Sequence, residues 1–161
     1  AHGGRGGELA EGILPRLRGG QNVGDEVAQL VRRHDAPLDT RQQMLRMLGR
    51  LGEEQLRRLL LVKRADLRAH APADIPLREE QLRQSQALLE ALLAEQACFS
   101  RKDLAVDGRA LLGMGFPQGP QVGCCLQRLL EEVVDRRLEN HREPLLRRAL
   151  QILEEPVKEA Q

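Results

Sequence analysis

The sequence predicts an all-α protein. Thirty of its 161 residues are leucine, and these leucines recur at helical spacing along the chain. Strand-forming residues are scarce, because the chain has two phenylalanines, no tyrosine and no tryptophan, and few Val, Ile or Thr. A chain of this length can bury a core of its own. We therefore expect packed helices and no sheet.

The N-terminal segment predicts two short helices. Leu9, Ile13 and Leu17 share one helix face, which Gly19 and Gly20 then end. Asp25 is a candidate N-cap for a second helix, which turns Val27, Leu30 and Val31 inward.

The following segment predicts a helix pair. Thr40 begins a helix whose apolar stripe is Met44, Leu45 and Leu48, and "LGE" turns the chain into a longer helix over about 53–70. The apolar face of that second helix contains Leu56, Leu59, Leu60 and Leu67. Arg57, Arg64 and Arg68 form a basic stripe beside it, for which a solvated surface is the simpler interpretation.

"HAPADIPL" combines three breaks in eight residues and marks a domain boundary. We expect a body domain over 1–70, a connector helix over 71–97 with Leu82, Leu89 and Leu93 inward, and a tail domain over 98–161. Within the tail, Ser100 is a candidate cap and Pro144 fits the first position of a last helix. A helix over about 120–138 packs through Val122, Leu126, Leu129, Val133 and Val134.

The stretch "GRALLGMGFPQGPQVG", residues 108–123, predicts a glycine-rich helix–turn–helix. Gly113 and Gly115 can adopt positive φ to end the first helix, and Gly119 and Gly123 leave the start of the next helix bare. A bare helix N-terminus offers unpaired N–H groups to a phosphate. A tight turn that lets two helices pack closely explains the same glycines.

The residues 99–146, "FSRKDLAVDGRALLGMGFPQGPQVGCCLQRLLEEVVDRRLENHREPLL", resemble the C-terminal region of bacterial class II tRNA nucleotidyltransferases, which comprise CCA-adding enzymes and related poly(A) polymerases. The family pattern there is approximately "DLxxxGxDLxxxGxxxGPxxGxxLxxLLxxVxxGxxxNxxxxLL". The match runs from Asp103 to Leu146 without a gap, but the aspartate of "GxDL" is Ala110 here. Residues 51–72 are similar to the helical body of that family, and residues 2–38 to the second half of its HD-type helical segment.

This resemblance implies a tail that holds the tRNA body while a nucleotidyltransferase head extends the 3′ end from CTP and ATP with magnesium. The candidate RNA-binding residues are Gly115, Gly119 and Gly123 of the turn, with Arg101, Lys102 and Arg109 as nearby charges. The head motifs of the family, "GGxVRD" and "DxD", do not appear in this sequence, so we expect no catalytic residue, no cofactor and no nucleotide transfer from this chain alone.

Two alternatives remain open. His2, His34 and Asp35 are the candidate metal ligands of an HD-type metal-dependent phosphohydrolase, although a vestigial site is the simpler interpretation because they are too few to enclose an ion. A helical protein-interaction module is the other. The formal charge of +1 excludes a strongly basic nucleic-acid binder, and the three cysteines match no ligand spacing. We expect a cytoplasmic protein without a membrane span.

Overall fold

The structure, a computed structural model, describes residues 30–67 and 74–155. All regular elements in these ranges are helices, which confirms the all-α prediction. They fall into two compact units divided between Ala94 and Glu95. The helices predicted around Leu9 and after Asp25 lie outside the described residues, apart from helical residues at 30–33.

The first unit contains a hairpin of two long helices, α1 (Arg41–Leu67) and α2 (Ile75–Ala94), which pack against each other. Thr40 caps α1 as predicted: its Oγ1 accepts from the Gln43 amide at 3.3 Å, and Gln43 Oε1 accepts from the Thr40 amide at 3.0 Å. The predicted turn at "LGE" is a break within α1, because Gly52 has φ 75° and ψ 168°.

The core of this unit follows the predicted leucine stripe of α1. Its buried residues there are Met44, Leu45, Met47, Leu48, Leu56, Leu59, Leu60 and Leu67. On α2 the prediction needs one correction, since Leu92 is buried and Leu93 is half-buried. Leu82, Ser85, Leu89 and Leu92 follow a 3-4-3 spacing, which keeps one narrow seam facing α1.

Helix α2 (Ile75–Ala94) begins later and ends earlier than the connector helix expected over 71–97. It starts at Ile75, which places Pro76 in the first turn. Proline is tolerated there because an amide at that position would have no intrahelical acceptor. It ends at Ala94, before Gln96, whose φ of 51° is incompatible with a right-handed helix. The boundary between the two compact units lies immediately after this helix end, between Ala94 and Glu95.

The second unit contains a 3-10 helix, Arg101–Asp103, and three α-helices: α3 (Gly108–Gly113), α4 (Pro120–Val134) and α5 (Arg142–Glu154). The 3-10 helix, α3 and α5 each pack on α4, which makes α4 the centre of this unit. Its core includes Leu111 on α3, Cys125 and Leu129 on α4, and Leu145 on α5, each at most 1% exposed.

Helix α4 is shorter than the predicted 120–138. It ends at Val134 because Arg136 adopts φ 57° and the amides of Arg136 and Arg137 bond back to Val133 and Glu132. These two bonds form a Schellman motif, which reverses the chain. The predicted packing face of α4 also needs a correction. Cys125 and Leu130 are buried, whereas the predicted Leu126 and Val133 are only half-buried.

Pro144 lies at the third position of α5 rather than the first, because the helix begins at Arg142. The first turn tolerates this, since its amides have no intrahelical acceptor. Ser100 is the N-cap residue of the 3-10 helix, as expected. No helix within the described ranges combines the length and the apolar character needed to cross a membrane.

Candidate nucleic-acid interface

The glycine turn begins with a complete helix C-cap. Gly115 adopts φ 97°, its amide bonds to the Leu112 carbonyl at 3.1 Å, and the Phe116 amide bonds to the Leu111 carbonyl at 3.2 Å. This is the Schellman pattern, and its usual hydrophobic contact is available because both Phe116 and Leu111 are buried. Gly115 therefore ends α3 as predicted. Gly113 does not share this role, because it remains within the helix.

The turn ends at an uncapped helix. Gly119 is the N-cap residue of α4 with φ 135°, no side chain caps the helix, and Pro120 follows at the first helical position. A Cβ at Gly119 would meet no atom within 4 Å, so the space beside this helix end is open. The amides of Gln121 and Val122 have no intrahelical acceptor at these positions. The start of α4 thus presents N–H groups and the positive end of its dipole.

Other glycines of the stretch contribute to packing. A Cβ at Gly108 would lie 3.2 Å from Val122 Cγ1, so the absent side chain lets α3 approach α4 closely. A Cβ at Gly123 would lie 3.6 Å from Arg101 Nη1, which is an ordinary van der Waals separation. The turn therefore serves close helix packing at Gly108 and leaves an open helix end at Gly119.

Three cations lie on the elements beside this helix end. Arg101 and Lys102 are on the 3-10 helix that packs on α4, and Arg109 is in the first turn of α3. All three side chains are exposed, and none forms an ion pair within residues 30–67 and 74–155. The structure brings Arg101 to the first turn of α4, where its guanidinium lies next to Gly123.

The 3-10 helix that carries two of these cations is fixed by Asp103 and Asn140. Asp103 Oδ2 accepts from the amides of Phe99 and Ser100 at 3.1 and 2.8 Å. Asn140 Nδ2 donates to the Asp103 carbonyl at 2.8 Å, and its Oδ1 accepts from the Ala105 amide at 2.9 Å. Asn140 matches the asparagine of the family pattern, but the sequence could not assign it a role, because its partners are backbone atoms 35 and 37 residues away.

A family model described as "tRNA nucleotidyltransferase domain 2 putative" matches residues 14–149. The chain belongs to this tRNA nucleotidyltransferase family. No curated protein and no solved structure matches this chain. The match spans both compact units, so the resemblance found in the sequence is confirmed at the level of the family.

The position where this nucleotidyltransferase domain departs from the motif, Ala110, contributes through its backbone. Asp107 is the N-cap of α3, and its Oδ1 accepts from the Ala110 amide at 2.9 Å. The Asp107 carboxylate therefore caps the start of α3, which carries Arg109. This cap uses the backbone of residue 110 and does not need a polar side chain there.

Two of the three candidate metal ligands of the nucleotidyltransferase domain, His34 and Asp35, lie in the described part of the chain, and they contact each other. His34 Nδ1 lies 2.6 Å from the Val31 carbonyl oxygen, and Nε2 lies 3.0 Å from Asp35 Oδ1. Both ring nitrogens are in contact with oxygen atoms, so an ion could bind either nitrogen only by displacing one of these contacts. In the part of the chain that the structure describes, no three His, Cys, Asp or Glu side chains are grouped as metal ligands, and His2 lies outside that part.

The alternative basic stripe is partly neutralised. Arg57 donates to Glu53 on α1 and bidentately to Glu90 on α2, so its charge is used within the first unit. Arg64 is exposed, and Arg68 lies outside the described residues.

The three cysteines are free thiols, and burial raises the pKa of both Cys98 and Cys125 to about 11. These buried thiols are correspondingly poor nucleophiles.

Proposed function

We propose that this domain holds tRNA by its sugar-phosphate backbone, in the cytoplasm, while the nucleotidyltransferase head of the parent protein extends the 3′ end. The observation that supports this proposal best is the uncapped start of α4, at Gly119 and Pro120, next to Arg101, which has no ion-pair partner among the described residues. Backbone N–H groups and a guanidinium at one place match the oxygens of a phosphate diester. Lys102 and Arg109 extend the positive charge on the neighbouring elements.

The character of the surface favours folded RNA over single strands. Proteins that bind single strands stack bases on exposed aromatic side chains. This chain has two aromatic residues, of which Phe116 is buried in the turn and Phe99 is half-buried. Contacts to phosphates, placed by the shape of a folded RNA, are the mode that such a surface supports.

A filter-binding titration of the chain with tRNA at several salt concentrations tests the proposal. If three cations each contact one phosphate, the logarithm of the affinity falls with the logarithm of salt concentration at a slope of about −3. Homopolymeric single-stranded RNA of the same length is the comparison, and we expect it to bind more weakly. Absence of salt-dependent tRNA binding would contradict the proposal and favour the protein-interaction alternative.

Catalysis is assigned to the head, because "GGxVRD" and "DxD" are the motifs that hold the nucleotide and two metal ions in this family. The present sequence contains neither motif. With tRNA lacking its 3′ end, labelled CTP or ATP, and magnesium, we expect this chain to incorporate no label. Incorporation by a chromatographically pure sample would overturn the assignment.

A further inference from the structure

An open pocket of about 270 Å³ lies within the first unit, and none of its lining residues is assigned above to RNA. It is lined by the 34–39 loop, the C-terminal part of α1 and the first half of α2. Pockets that bind small molecules start at roughly 300 Å³, so this one suits a small ligand. Its ionisable lining residues are divided among these three segments, which indicates a site built by the fold rather than by one helix.

Two cations in this pocket have no ion-pair partner among the residues that the structure describes. Lys63 of α1 is half-buried and Arg78 of α2 is exposed, and neither side chain forms an ion pair or hydrogen bond in the described structure. Burial lowers the pKa of Lys63, and the carboxylates of Asp35, Asp39 and Asp66 oppose that shift from beyond ion-pair distance. A half-buried ammonium without a hydrogen-bond acceptor is costly, and proteins retain such groups at binding sites.

The carboxylates of the pocket are not equally available. Asp35 is paired with His34, and Asp66 also has an interaction partner. Asp39 is exposed, and its carboxylate forms no ion pair in the residues described. The groups left to a ligand are therefore two cations and one carboxylate.

We propose that this pocket binds a small phosphomonoester that carries hydroxyl groups, the chemistry shared by sugar phosphates and nucleotides. The phosphate lies between Lys63 and Arg78, and a ligand hydroxyl donates to Asp39. Arginine and lysine together supply the fork and the point charge that commonly bind phosphate.

Calorimetric titration of the 161-residue chain with glycerol 3-phosphate, at constant ionic strength, tests the proposal. We expect saturable binding of one molecule per chain, weaker binding of inorganic phosphate and no binding of glycerol. Lys63→Met keeps most of the aliphatic stem and removes the charge, and Arg78→Gln removes the guanidinium. Each should weaken binding by about tenfold or more, as expected for the loss of a charge-assisted hydrogen bond.

Arg50→Gln is the matched control, since Arg50 is an exposed arginine of α1 that does not line the pocket. Absence of saturable glycerol 3-phosphate binding overturns the proposal, as does an equal loss in Arg50→Gln, which would indicate a general charge effect. If Lys63→Met alters the circular dichroism spectrum, the exposed Arg78 carries the test. Competition by cytidine 5′-monophosphate supports the proposal with a nucleotide as the source, and lack of competition supports it with a sugar phosphate.

Discussion

Asn140, in the segment between α4 and α5, holds Asp103: its side-chain amide donates to the Asp103 carbonyl at 2.8 Å and accepts from the Ala105 amide at 2.9 Å. A single side chain thereby satisfies one backbone group at the end of the 3-10 helix and one in the segment that follows it. Asparagine is suited to this arrangement because it offers a donor and an acceptor on one planar group.

Asn140→Ala should destabilise the protein by about 1–3 kcal/mol, because two backbone groups lose their partners. Asn140→Asp should also destabilise it, since a carboxylate cannot donate to the Asp103 carbonyl. Urea denaturation followed by circular dichroism measures both. Gln127→Ala, which removes one exposed hydrogen bond to Glu131 within α4, is the control and should change stability by less than about 0.5 kcal/mol. Equal effects at the two positions would contradict this role for Asn140.

Arg136→Gly should stabilise the protein by about 0.5–1 kcal/mol. Arg136 has φ 57°, where a side chain costs roughly 1–2 kcal/mol, and glycine avoids that cost at the expense of greater freedom in the unfolded chain. The same change at Arg147, inside α5, should instead destabilise by about 1 kcal/mol. Thermal denaturation of both variants checks the opposite signs, and a destabilised Arg136→Gly would contradict the explanation.

The bidentate pair between Arg57 and Glu90 should make stability depend on pH. Hydrogen bonds from Arg57 hold the pKa of Glu90 below its ordinary value of 4.5. A carboxylate whose pKa is lowered by folding contributes stability above its unfolded pKa and loses it as the pH falls through the folded value. Glu90→Gln should therefore lower Tm at pH 7, and the difference from wild type should shrink as the pH falls below 4.5 and through the lowered pKa of Glu90. Glu79→Gln, on the same helix and without an ion pair to any residue that the structure describes, should show no such difference at either pH.

Arg109→Ala should weaken tRNA binding by about 1 kcal/mol and reduce the salt slope by about one contact. It should not alter preference among tRNA sequences, because phosphate contacts position the RNA without reading bases. The control is Arg147→Ala, since Arg147 is an exposed arginine of the same unit that is paired with Glu143. Filter binding at two salt concentrations measures the tRNA affinity of the wild type and of both variants.

Gly123→Asp should weaken tRNA binding while preserving the fold. The new Cβ meets only an ordinary contact at 3.6 Å from Arg101, whereas the carboxylate places negative charge beside Arg101 and the start of α4. Circular dichroism checks the fold separately. Unchanged affinity in a folded Gly123→Asp protein would exclude this helix end and move the RNA contact to the Arg57, Arg64 and Arg68 stripe.

His34 and Asp35 should not retain a stoichiometric metal ion. Both ring nitrogens of His34 face oxygen acceptors, and binding an ion would require at least one of those contacts to break. Elemental analysis after extensive dialysis should find well under one divalent ion per chain. One tightly held ion per chain would contradict this and support the phosphohydrolase alternative.

The leucine pattern was sufficient to predict the helices and most of the core, because helical spacing alone assigns Leu56, Leu59 and Leu60 to one buried face. It could not distinguish Leu92 from Leu93, or Cys125 from Leu126, since adjacent positions differ by one step around the helix and partner helices decide between them. The end of α4 was missed because the Schellman motif places arginine where glycine is usual. At the candidate site, glycine chemistry predicted the open helix start, but no pattern in the sequence could reveal which arginines lack a partner.

Helix α3 has six residues, fewer than an isolated helix needs to persist in water. It depends on its two caps, at Asp107 and Gly115, and on the burial of Leu111. Its backbone amides should therefore exchange with deuterium earlier than those of α4, through local opening that leaves the rest of the unit folded. If this segment does contact RNA, part of the binding free energy must be spent on suppressing that opening, and slowed exchange in α3 would then report the bound state directly.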